Sequence, residues 1–160
     1  VRHVYPCPLR WSDMDAFGHV NNVVFLRYLE EARIDFMFRL ARQAASGAFT
    51  GGSVVARHEI SYLRPLTHRH EPVVVELWVT KVGAASVTVA YEVKDGPGDS
   101  RDPGGSGAAD GEGAGTVYAR AATVVVPYDL ERERPRRLSD EEKAFLKEYL
   151  DDSATGAVAA

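Results

Sequence analysis

The sequence predicts an α+β domain in which an antiparallel sheet of about five strands wraps one long central helix, with a short C-terminal helix added. Three observations carry that expectation. Phe25, Tyr28, Leu29, Ala32, Phe36 and Leu40 recur at three- and four-residue steps, the spacing of one helix face. Leu26, Met37 and Phe38 widen the apolar surface beyond one stripe, so more than one side of the helix needs cover. Four β-prone runs follow, and the hairpin-length links among them demand antiparallel pairing.

Taken in order, residues 2–10 read as a first strand. It is placed at or near a sheet edge because Pro6 and Pro8 cannot donate to a ladder. A polar, turn-forming stretch follows, and the helix is expected over about 22–44. Asn21 or Asn22 is a good N-cap, since its side-chain oxygen can accept from the free amides of the first turn. Gly18 supplies a flexible turn just before. Arg27 with Glu31 and Asp35 with Arg39 are four apart, spaced for weak ion pairs of roughly 0.2–0.5 kcal/mol each. Ser46, Gly47, Gly51 and Gly52 end the helix.

Residues 54–64 alternate as a strand and stop at Pro65. A polar turn over 67–72 leads to 73–82, where Val73, Val75, Leu77 and Val79 share one face. Gly83-Ala84-Ala85 turns the chain into a strand over 86–94, with Val87, Val89, Tyr91 and Val93 alternating. From 95 to 115 glycine, serine, proline, alanine and acidic residues dominate, which reads as a flexible insertion between strands. Residues 116–126 form the last strand, ended by Pro127. A charged linker with Arg132, Arg134, Arg136 and Arg137 precedes a short helix opened by Ser139-Asp140-Glu141-Glu142: a serine cap, then acids in the first turn. Residues 1–150 are therefore read as one domain and 151–160 as a disordered tail.

Length and composition agree: 160 residues, 45% apolar and 26% charged, suit one soluble globular domain. A net charge of −4 gives no reason to expect nucleic acid as a partner. The lone Cys7 cannot form an internal disulfide. No apolar run is long enough to span a bilayer and the start lacks a signal-peptide core, so the expectation is a cytoplasmic protein with no membrane partner.

The chemistry-bearing stretch is Asp13-Met14-Asp15-Ala16-Phe17-Gly18-His19-Val20-Asn21-Asn22, followed by Phe25-Leu26-Arg27-Tyr28-Leu29-Glu30-Glu31-Ala32-Arg33. It resembles the hotdog-fold acyl-CoA thioesterases of the 4-hydroxybenzoyl-CoA thioesterase type, and is similar to acyl-ACP thioesterases. The pattern of elements matches over about 4–127. The resemblance implies a hotdog fold and aligns Asp15 with the catalytic carboxylate, as nucleophile or as general base toward water. It implies a homodimer or homotetramer with the site at a subunit boundary. It also implies that Glu31 faces that site.

The residues themselves add the rest. Helix-start N–H groups around Asn22 and Val23 can stabilise an oxyanion without a metal or arginine. His19 can polarise the carbonyl or hold Asp15, and Asn22 can orient water or thioester. Asp13 reads as a structural partner that accepts from nearby amides. Phe17, Phe25 and Tyr62 can line an acyl tunnel, and Gly18 lets the acyl group approach the backbone. Arg57 and Arg64, with His58, His68, Arg69 and His70, form a local basic cluster suited to phosphates. No cofactor is expected, CoA entering only with the substrate. Asp13, Asp15 and His19 are too few for a convincing metal site. Two other functions fit the fold: a dehydratase or hydratase of acyl thioesters, and a non-catalytic module binding acyl-CoA or an acyl carrier.

Overall fold

A computed structural model describes residues 1–40, 42, 52–97 and 115–151. The sheet contains β1 (His3–Cys7), β2 (Ser53–Tyr62), β3 (Val73–Val82), β4 (Val87–Lys94), β5 (Val117–Asp129) and the two-residue β6 (Arg134–Pro135). Its order is β1-β3-β4-β5-β2, with β6 beside β5, and every strand pair is antiparallel. Helix α1 (Asn22–Ile34) lies against this sheet, and α2 (Asp140–Lys147) closes one end. This is the hotdog arrangement the pattern predicts.

The alternating faces become the core. Val73, Val75, Leu77 and Val79 of β3 are fully buried, as are Val89 and Val93 of β4, while Val87 and Tyr91 are nearly so. They meet Phe25, Tyr28, Leu29 and Ala32 of α1 in one cluster. Burying side chains of this size is worth roughly 1.5–3 kcal/mol each, which outweighs any single ion pair on the surface. Phe145 and Leu146 of α2 join the same cluster, with the Phe145 ring 5.4 Å from that of Phe36. The chain after α2 is pinned to β3: the Val79 N–H donates to Tyr149 O and the Asp151 N–H to Val79 O.

Among the described residues β1 pairs only with β3, so Pro6 sits on an edge where its missing donor costs little. β2 is the other edge, paired among the described residues only with β5. Its side chains are mostly exposed, including Val54 and Val55.

The structure departs from the sequence reading in four places. Beyond Ile34 the helix widens into a π-helix over Asp35–Leu40, which accompanies burial of the adjacent pair Phe36 and Met37. The expected helix end near 44 lies outside the described residues. Asp35 and Arg39 do pair, at 3.3 Å, and Asp35 also meets His3 Nε2 at 2.9 Å; no ion pair joins Arg27 to Glu31 among the described residues. Proline does not end β5. The partner of Val125 is Val87, where β4 begins, so no residue of β4 lies opposite Pro127 to need its N–H, and the strand runs on to Asp129. Finally, Asp95, read as the start of the insertion, is 5% exposed and firmly bonded. The rest of the stretch read as an insertion, from 98 to 114, lies outside the described residues, as does the tail from 152. No described helix is long and apolar enough to cross a membrane.

Candidate active site

The loop before α1 is a tight reversal. The Asp15 N–H donates to His19 O at 2.8 Å, the Gly18 N–H donates to Asp15 O at 3.1 Å, and Met14 and Val20 form an antiparallel bridge. Gly18 takes φ +76°, a conformation that side-chain-bearing residues rarely adopt. The Val20 N–H donates to Leu66 O at 2.7 Å, which fastens this loop to the segment after β2.

Asp13 and Asp15 have different surroundings. Asp13 is buried; its Oδ2 accepts from the Arg10 N–H at 2.9 Å and the Tyr28 hydroxyl at 2.7 Å. Burial and then this hydrogen bond raise the Tyr28 pKa well above the ordinary phenol range. Asp13 thus anchors the loop to α1. Asp15 is half-buried. Its Oδ1 accepts from the Phe17 N–H at 2.9 Å, a turn-stabilising bond, and its Oδ2 has no hydrogen-bond partner among the described residues.

Helix α1 begins beside it. Asn21 is the N-cap, and its side chain accepts from the Val23 N–H at 2.9 Å. The N–H groups of Val24 and Phe25 turn back to Asn21 O. The Asn22 N–H has no acceptor among the described residues. Of the two expected backbone donors, the cap therefore occupies Val23 and leaves Asn22 open. Opposite, the Tyr62 hydroxyl donates to Asn22 O at 2.7 Å, and its ring meets Phe25 edge-on at 5.5 Å. This ties the end of β2 to the start of α1, a link across 40 residues that no local pattern announces.

Between these elements lies a cleft of about 320 Å³. Asp15, His19, Asn22, Phe25, Tyr62 and Arg64 line it, together with Val20, Leu63 and Pro65. One concavity thus holds a carboxylate, an imidazole, a carboxamide, an arginine and two aromatic rings. Phe17, Gly18, Val23, Glu31 and Arg57 do not line it. Phe17 is 86% exposed on the loop tip, Glu31 is exposed on α1, and Arg57 reaches across to Glu59 at 3.7 Å. Cys7 is buried, and its thiol is pushed up to about 12 by burial and then the charges of Asp13 and Glu31, so it is no nucleophile at neutral pH. Among the described residues no three His, Cys, Asp or Glu side chains are grouped to hold a metal ion.

The family model of the thioesterase-like superfamily matches residues 9–146, a span that takes in the cleft, α1 and all but the last residue of α2. The chain belongs to the thioesterase-like superfamily. Two solved structures of thioesterase-like proteins overlay well. A thioesterase from Thermus thermophilus, crystallised with coenzyme A and Zn, is 27% identical with a TM-score of 0.67, over 91% of this chain and 92% of that one. A candidate acyl-CoA thioesterase from Xanthomonas campestris is 32% identical with a TM-score of 0.58, over 80% of this chain and 93% of that one. An uncharacterised Bacillus subtilis protein, YsmA, is 32% identical over 83 residues, 52% of this chain and 54% of that protein; the match spans about half of that relative's length.

Proposed function

We propose that this thioesterase-like chain hydrolyses an acyl-CoA thioester to the free acid and CoA, as the 4-hydroxybenzoyl-CoA type of hotdog enzyme does. The observation that carries the reading is the cleft shared by the Asp15 carboxylate and the open end of α1. A thioester carbonyl seated there meets two complementary groups. The Asn22 N–H, at the positive end of the helix, hydrogen-bonds the oxygen as it gains charge. The Asp15 Oδ2 either adds to the carbonyl carbon or removes a proton from the water that does.

In the first route the tetrahedral adduct expels the thiolate and leaves a mixed anhydride, which water then cleaves. In the second, water adds directly, its proton passes to Asp15, and collapse expels the thiolate, which takes up that proton. The His19 and Asn22 side chains stand where they can orient the water or thioester. Neither route calls on a cofactor. CoA as the carrier is favoured by its presence in the Thermus thermophilus neighbour and by Arg64 at the cleft.

The same reading includes a homodimer, or a dimer of dimers, built on β2. Among the described residues one edge of that ten-residue strand is unpaired, with Val54 and Val55 exposed, and such edges are ordinarily covered. Pairing it with a second copy would bring Glu31 and Arg57 near a neighbouring cleft. Cytoplasmic location is part of the same proposal.

The test is thiol release from a panel of acyl-CoAs and acyl-carrier thioesters. Asp15→Asn keeps the Oδ1 that holds the Phe17 N–H but lacks a basic carboxylate. Turnover falling by several orders of magnitude with unchanged circular dichroism supports the assignment; full retained activity refutes it. Sedimentation of the wild-type chain as a monomer would refute the dimer.

A further inference from the structure

A second groove runs further along the seam between α1 and β2. Val23, Leu26, Glu30 and Arg33 line it from the helix, and Val55 and His58 from the strand, around about 300 Å³. Its notable member is Arg33, only 8% exposed on a surface helix. A guanidinium keeps its charge in a protein and carries five N–H donors. Arg33 makes one hydrogen bond among the described residues, from Nη1 to the Tyr91 hydroxyl at 3.2 Å, and that acceptor is neutral. No described carboxylate forms an ion pair with it. Glu30 lies one turn earlier in the same groove yet does not reach it. A charge buried without a counterion is costly, and evolution seldom leaves one without a reason.

His58 lies in the same groove. Its Nδ1 meets Thr123 Oγ1 at 2.9 Å, and its Nε2 has no hydrogen bond among the described residues. Burial, and then the charge of Arg33, hold the ring toward its neutral form against the opposing pull of Glu30. If Thr123 donates to Nδ1, the Nε2 carries a hydrogen that points to a ligand as a donor. Arg27 adds a third basic group to the lining. The groove therefore offers donors and positive charge in excess of its one acid.

Its position says what kind of ligand fits. Asn22 and Arg33 are eleven residues apart on the same element, about 16 Å along the axis. Tyr62 and His58 are four apart on β2, about 13 Å. The two hollows thus follow one another along a single helix–strand seam. Side chains on a helix tilt toward its start, which shortens the span that Arg33 has to bridge. Val23 and Leu26, which are apolar, line the second hollow on the stretch of helix between Asn22 and Arg33.

We propose that this groove receives the far end of the acyl group and that this end is a carboxylate, bound by Arg33 with His58 beside it. The inference rests on the thioesterase reading above and adds the substrate class: acyl thioesters with a second acidic group at the distal end.

The experiment compares ω-carboxyl acyl-CoAs of increasing length with ω-methyl acyl-CoAs of the same length, on the full chain. The expected result is a preference of at least about tenfold in kcat/KM for the acid-terminated member of one length class, residing in KM, as a charge-assisted hydrogen bond supplies. In Arg33→Gln that ratio falls to near one, and Arg33→Lys retains part of it. Equal rates on both series in the wild type, or an Arg33→Gln variant slowed equally on both, overturns the proposal.

Calorimetry with suberate and sebacate on the unmutated protein needs neither turnover nor a folded variant. Saturable binding of one of them supports the groove even if no thioester is cleaved, in which case only the hydrolytic reading fails. Absence of binding while octanoyl-CoA is cleaved overturns the groove and leaves hydrolysis standing. A wild-type dimer that Arg33→Gln converts to monomer, with no dicarboxylate binding, shows Arg33 to be a contact between copies and also overturns it.

Discussion

The Tyr28 hydroxyl donates to the buried Asp13 carboxylate at 2.7 Å, and this bond ties the second turn of α1 to the loop that carries Asp15. Asp13 uses the same oxygen to hold the Arg10 N–H, and its own carbonyl accepts from the Asn21 N–H at 2.9 Å. One carboxylate residue thus sets the distance between loop and helix start. Tyr28→Phe removes the hydroxyl and leaves a buried charge short of one donor. The expected loss is about 1.5–3 kcal/mol of stability, as for a hydrogen bond to a charged group. Urea unfolding measures it, as a lower midpoint with unchanged slope. Turnover should fall too, because the loop is less firmly placed. Unchanged stability would show that water or another group replaces the hydroxyl.

What the sequence could announce were the features written in local spacing. Val73, Val75, Leu77 and Val79 alternate because one face of β3 is buried, and they are buried. The cap at Asn21 and the capping box at Ser139 and Glu142 are short-range chemistry, and both form. The cleft lining was legible in part for the same reason: Asp15, His19 and Asn22 lie within eight residues. Features that depend on distant partners were not legible. Arg33 sits on the buried stripe of α1 next to Ala32, but the acceptor that makes room for it, Tyr91, is 58 residues away. Asp95 stands at the edge of a glycine-rich stretch, so composition read it as flexible, whereas Arg69 and Tyr118 make it a buried anchor. β5 continues through Pro127 because β4 does not reach that far along it, and register is not visible in either strand alone.

Gly18 isolates backbone conformation from packing. A Cβ built there meets nothing within 4 Å, so a substitution has room, but φ +76° is unfavourable for it. Gly18→Ala should cost about 1–2 kcal/mol, and Gly18→Asn less, since asparagine tolerates the left-handed region better. Thermal unfolding gives the ranking. If alanine and asparagine are equal, strain at this turn is not what selects glycine.

The Asp95 network closes the base of the glycine-rich stretch. Its carboxylate accepts from Arg69 Nη1 and the Tyr118 hydroxyl, each at 2.7 Å, and from the Thr116 N–H at 3.2 Å. Burial and then Asp95 push the Tyr118 phenol up to about 12. Asp95→Asn replaces a charged acceptor beside a largely buried guanidinium, so the expected cost is about 3–5 kcal/mol. Tyr118→Phe removes one neutral donor from a carboxylate with others left, and should cost less, about 1.5 kcal/mol. Urea midpoints of the two variants check the order. The reverse order would mean that Tyr118, not the ion pair, holds the two strands together at this end.

The acid limb of stability is set by carboxylates held below their usual range. Glu142 is 2% exposed, and burial alone would raise its pKa above the ordinary 4.5. Hydrogen bonds from Arg136, at 2.6 and 3.0 Å, and from the Ser139 N–H, at 2.9 Å, outweigh burial and lower it. Glu76 is lowered in the same way, against burial, by Lys94 and Arg2. A depressed folded-state pKa means that the unfolded chain takes up protons first. The contribution is therefore whole above pH 4.5 and is lost as pH falls through the lower folded-state value. Glu142→Gln forfeits it at neutral pH, and its stability should change less with pH below about 4.5 than that of the wild type, with Glu76 still supplying part of the slope. Urea midpoints between about pH 3 and pH 7 measure both curves. Parallel curves for wild type and variant would mean that the Arg136–Glu142 pair adds nothing to acid resistance, whatever its geometry.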